Sequence, residues 1–106
     1  MLLVVYGSVG CRGAADRTRG RLLSVLGRHD EAVAALDAAV ALEERVGGTA
    51  LLPRTWSAHA EVLLARDHPD DAGRARALLD RAEASAVQLG VTGVLREISA
   101  ARQRLR

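Results

Sequence analysis

The residues able to do chemistry are few and scattered. His29, His59 and His68 are the three histidines. They show no i, i+4 pairing on one helix and have no neighbouring cysteine, so their spacing does not match a zinc site. Glu43-Glu44 and Asp70-Asp71 are adjacent carboxylate pairs. Side chains of adjacent residues on a helix do not face each other, so these pairs read as solvated or capping groups, not as a general acid and base. Ser8, Ser24, Ser57, Ser85 and Ser99 lack the strand–turn–helix setting of a nucleophile elbow. Gly7, Gly10 and Gly13 follow the apolar run Leu2–Tyr6, which suggests a strand and a phosphate loop. Their spacing fits neither nucleotide-binding pattern, however, and the chain has no lysine to reach a phosphate. No catalytic, metal-binding or cofactor-binding residue is assigned, and no cofactor is expected.

A chain without a reactive constellation acts through its surfaces, so the elements that present them come next. Length and composition set the terms. The 106 residues suffice for one small domain. Nearly half are hydrophobic, but there is one Trp, one Tyr and no Phe, so the core must be Leu, Val and Ala. That mixture suits close-packed helices better than a β-sandwich. Net charge is +2, unevenly spread: five arginines face Asp16 over residues 1–28, and four face Glu97 over 96–106. Arg-rich ends define a second function class, a nucleic-acid-binding accessory domain. No interleaved aromatics or recognition helix accompany the charge, which argues against nucleic acid. A single cysteine, Cys11, excludes an internal disulfide and suits a reducing compartment. Met1–Val5 is too short to span a membrane and has no basic leader before it, so the expected location is cytoplasmic, with no membrane partner.

Periodicity then divides the chain into an irregular segment, residues 1–13, and a helical domain, residues 14–106. The organising stretch is expected to be Gly27–Leu42. Asp30 is the expected N-cap, Glu31 complements the helix dipole, and Ala32, Val33, Leu36, Ala39 and Val40 form one apolar face. This second helix ends at Gly47-Gly48. A first helix over about 14–26 contains Gly20, which lowers helix propensity by roughly 1 kcal/mol and marks a close approach. A third helix begins at Thr49, or with Pro53 in its first turn, and runs to about Arg66. Asp70 or Asp71 caps a fourth, which ends before Gly90, and Thr92 caps a fifth carrying Val94, Leu95, Ile98 and Leu105.

Two boxes repeat, Ala32-x3-Leu36-x2-Ala39 and Ala75-x3-Leu79-x2-Ala82, 43 residues apart. Upstream of them stand Gly20-x2-Leu23 and Trp56-x3-Ala60-x2-Leu63. In order and spacing they resemble the tetratricopeptide pattern, W-x2-L-G-x2-Y followed by A-x3-F. The fold expected is all-α: tetratricopeptide-like helical hairpins in a short right-handed solenoid, with a C-terminal capping helix.

Several stretches extend the likeness: Tyr6-Gly-Ser-Val-Gly-Cys-Arg-Gly13, Gly20–Val33, Leu42-Glu-Glu-Arg-Val-Gly47, Pro53-Arg-Thr-Trp56, Leu63-Leu-Ala-Arg66 and Ala75-Arg-Ala-Leu-Leu-Asp-Arg-Ala82. Together they resemble the C-terminal tetratricopeptide-like region of large bacterial ATP-binding LuxR-type transcriptional regulators and related adenylate cyclases. The resemblance implies a detached piece of a signalling or transcriptional regulator whose remaining property is binding. Its partner would be another protein or the regulator's remaining domains, with self-association a further outcome. The expected contact residues are the polar positions of the first helix of each pair: Arg17, Arg21, Arg54, His59 and Glu61.

Overall fold

The computed structural model describes residues 15–47 and 51–105. The expected irregular segment 1–13, with Leu2–Tyr6, its three glycines and Cys11, lies outside them, as does Thr49. All regular structure among the described residues is helical, so the fold is all-α. Helix α1 covers residues 15–25, α2 His29–Val46, α3 Leu52–Arg66, α4 Asp71–Leu89 and α5 Gly93–Arg104. No helix among the described residues is long and apolar enough to cross a membrane.

Local chemistry fixes the ends, not always as the sequence suggests. Gly47 and Gly90 close α2 and α4 in the left-handed conformation, where a side chain would clash with its own backbone. Pro53 sits in the first turn of α3 as expected. The expected capping bonds do not form. Helix α2 starts earlier, with Arg28 at the cap position, so Asp30 lies inside the first turn and its carboxylate reaches Arg66 instead. Asp70 occupies the N-cap of α4 and Thr92 that of α5, and neither side chain makes a capping bond. Ahead of α4, Asp71 instead accepts the His68 N–H of the preceding turn at 3.1 Å.

Helix α3, not α2, is the element the others surround. It packs on α2, α4 and α5, and α1 reaches it through Leu23 and Arg17. Ten of its fifteen residues are buried. The six box residues Ala32, Leu36, Ala39, Ala75, Leu79 and Ala82, on α2 and α4, are fully buried. Burying such stripes removes apolar area from water at about 25 cal/mol per Å², and the alanines let the backbones approach. Ala39→Leu and Ala82→Leu should therefore each lower stability by about 1–3 kcal/mol through overpacking. Urea denaturation of both variants checks this, and unchanged midpoints would contradict it.

Gly20 is the closest contact between α1 and α2. A Cβ there would fall 1.8 Å from Leu36 Cδ2 and 3.3 Å from the Ala32 carbonyl oxygen. Leu36 is enclosed and cannot swing aside freely. Gly20 thus outweighs its propensity cost by letting Leu36 fill the gap.

Candidate functional site

Four of the five expected contact residues gather on one face. Arg17 and Arg21 come from α1, Arg54 and Glu61 from α3, and α5 adds Glu97. Arg21 Nη2 lies 3.7 Å from Glu61 Oε2 and 3.7 Å from Glu97 Oε2, joining the three odd-numbered helices. The Arg54 side chain reaches the first turn of α5, where a Cβ built on Gly93 would lie 3.7 Å from its Nη2. Burial pushes the Glu61 carboxyl above its ordinary range, Arg21 opposing and Glu97 reinforcing the shift. A hollow of about 250 Å³ opens beside this pair, lined by Arg21, Ser24, Val25, Glu61 and Val62.

Arg17 turns inward. Its Nη1 donates to Thr55 Oγ1 at 3.2 Å, and that hydroxyl donates to Glu43 Oε1 at 3.0 Å. Glu43 is fully buried, contrary to the solvated role its pairing with Glu44 suggests. The reason is positional: Glu43 continues the stripe of Ala32, Leu36 and Ala39, so helical geometry turns it inward. Burial raises its carboxyl pKa, while Thr55 and then Arg17 oppose the rise. Burial likewise lowers the Arg17 pKa, with Glu43 opposing. A buried charge needs such partners, because its transfer from water is costly.

His59 stands apart from the other four. It is only 4% exposed and points toward α2, where Nε2 comes within 3.2 Å of Asp37 Oδ1 without hydrogen-bond alignment. It is therefore a packing residue and cannot offer its ring to a partner on the open face. Burial lowers its pKa, Asp37 pulls the other way, and Arg74 of α4 and Arg66 of α3 reinforce the lowering. The sign follows directly. On acidification the unfolded chain takes up this proton before the folded one, so the contribution is intact above the ordinary histidine range and is lost as pH falls below it. His59→Gln should flatten the stability profile between about pH 7 and 5 relative to the native chain. Parallel profiles in urea titrations would show that the ring titrates normally.

The remaining charged groups do structural work. Arg102 of α5 donates to Asp80 at 2.9 Å and to Glu83 at 2.5 Å, tying α5 to α4. Among the described residues no three His, Cys, Asp or Glu side chains come together as metal ligands. The arrangement can therefore present charge to a partner, while the buried carboxylate of Glu43 is held through Oε1 by Thr55. Sequence reasoning missed Glu97, Thr55 and Glu43. Glu43 alone left a signal, a carboxylate placed in register with an apolar stripe. Comparison with protein families, with curated proteins and with solved structures finds no match to this chain.

Proposed function

We propose that this chain is a non-catalytic protein-interaction module that takes a carboxylate-bearing peptide segment on the face shared by α1, α3 and α5. In this reading α1–α2 and α3–α4 are two tetratricopeptide-like hairpins stacked as a short right-handed solenoid, and α5 caps it. The parent is a cytoplasmic signalling or transcriptional regulator, and the partner is another protein or one of that regulator's own domains.

One observation supports this above the others: alternate helices bring Arg17, Arg21, Arg54, Glu61 and Glu97 to a single face, where Arg21 bridges two carboxylates at equal distance. A solenoid presents its first helices side by side in this way. Arg54 is exposed on this face and forms no ion pair among the described residues, so a partner bringing a carboxylate is matched there. Arg21 faces Glu61 and Glu97, and Arg17 faces Thr55 and Glu43, which weakens the field a nucleic-acid backbone would need.

Selection of a random-sequence peptide display library on the dilute chain tests the reading. Binders enriched in Asp and Glu are expected, and Arg54→Glu, an exposed position, should weaken them at least about tenfold. Binders indifferent to that reversal would overturn it. Tight duplex-DNA binding with a steep salt dependence would move the protein to the nucleic-acid class.

A further inference from the structure

We propose that the chain assembles head to tail with further copies of itself, the outer stripe of α1 seating in the groove between α4 and α5 of the next copy. The inference does not rest on the peptide-binding reading, although Val25 of the stripe also lines the hollow beside Arg21 and Glu61.

Helix α1 is apolar on two sides. Gly20 and Leu23 face the core. Leu22, Val25 and Leu26, spaced i, i+3 and i+4, point the other way and are 60%, 84% and 71% exposed. Single exposed apolar residues are ordinary, but three on one helical stripe form a patch that marks an interaction site. A second apolar surface lies between α4 and α5, which pack on each other. There Val87, 65% exposed, borders a groove of about 260 Å³ with Leu95 and Ile98 on its floor.

The rims identify the occupant. Beside the α1 stripe stands exposed Arg19, which has no acidic partner among the described residues. Beside the groove stand Asp80 and Glu83, two carboxylates sharing the single Arg102. The stripe is therefore edged by positive charge and the groove by net negative charge. Two stripes facing each other would set Arg19 against its own copy, and two grooves would set carboxylate against carboxylate. A stripe meeting a groove pairs unlike charges. The contact is thus heterologous, and an open chain of any length keeps one stripe and one groove free, so growth does not stop at a dimer. Surfaces this small belong with transient interfaces below about 1,200 Å², so assembly should build with concentration.

Sedimentation velocity of the full chain across a concentration series tests this. The native chain should rise in average mass without levelling at the dimer. Val25→Glu, which blocks the stripe, and Val87→Glu, which blocks the groove, should each remain monomeric. Mixed in equal amounts they should form a one-to-one dimer and nothing larger, because each retains the surface the other lost. A native chain that stays monomeric at every concentration overturns the proposal, whatever covers the stripe. So does assembly abolished by Val25→Glu but untouched by Val87→Glu, which is the signature of two-fold α1 pairing, and so does a mixture that fails to form the dimer. Helical circular dichroism verifies folding of each variant. If Val25→Glu is not native, Leu26→Glu replaces it with the same expectations.

Discussion

Replacing Trp56 by alanine is expected to cost about 3–5 kcal/mol, the largest loss from any single apolar truncation in this chain. A domain of this size has on the order of 5–15 kcal/mol to lose, so the variant should be largely unfolded at moderate temperature. The reasoning starts from composition. With no Phe and a core of Leu, Val and Ala, the indole is the one side chain able to fill a wide gap between helices. It is 7% exposed, and the Arg81 guanidinium of α4 lies 4.5 Å from the ring centroid. That cation–π contact at an exposed arginine adds about 0.5–1 kcal/mol, so most of the effect is cavity. The buried Nε1 has no hydrogen-bond partner. Trp56→Phe should therefore recover much of the loss, since it keeps most of the ring and removes an unpaired donor. Thermal and urea unfolding of both variants checks the ordering. Native fluorescence at the wavelength of free tryptophan, or an alanine variant as stable as the native chain, would contradict it.

The same helix shows what periodicity can and cannot reveal. The α2 and α4 stripes were legible because Ala and Leu recur there at helical spacing against a polar background. Gly47 and Gly90 were legible as stops because few other residues tolerate positive φ. Helix α3 has no such contrast: it is buried on several sides, yet it carries Thr55, Ser57 and His59 inside the molecule. A pattern that separates apolar from polar residues cannot recognise a central helix whose buried positions are polar. It therefore named α2 as the organising element. Glu43 fails for a related reason. Whether a carboxylate can be buried depends on Arg17 and Thr55, and these two lie 38 residues apart in the chain. Tertiary structure decides that, and local spacing does not record it. Of the candidate contact residues, Arg17, Arg21, Arg54 and Glu61 share a face because each lies on a helix of the same layer. His59 lies on that layer too, but its position around the α3 axis turns it toward Asp37.

Arg66→Ala should be the most damaging polar substitution, costing about 2–3 kcal/mol, between the ranges for an exposed and a fully buried ion pair. At the end of α3 this side chain donates Nε–H to Asp71 Oδ2 at 2.8 Å and Nη2–H to Asp71 Oδ1 at 2.7 Å, a two-pronged contact. Its Nη1 also reaches Asp30 of α2 at 3.2 Å, so one guanidinium ties the ends of three helices. The Asp30 carboxylate is largely exposed and adds little. Asp71 is 1% exposed and would be left as a buried charge with only the His68 N–H to hold it. The Arg66 fork holds the Asp71 carboxyl down to about 2, opposed by burial. A depressed carboxyl contributes stability that is fully present above its unfolded value of about 4 and is lost as pH falls through about 2. Removing Arg66 lifts the folded value toward or above the unfolded one, so stability is lower at neutral pH and its fall between about pH 4 and 2 should flatten. Arg66→Lys keeps the charge but loses the fork, and should fall between the two. Asp71→Asn in the Arg66→Ala background should restore part of the stability at neutral pH, because it removes the stranded charge. Urea unfolding from pH 7 to 2 on this set separates the outcomes. An Arg66→Ala loss under about 1 kcal/mol with an undiminished fall between about pH 4 and 2 would mean that water already solvates Asp71 and that the three helix ends are held by apolar packing alone.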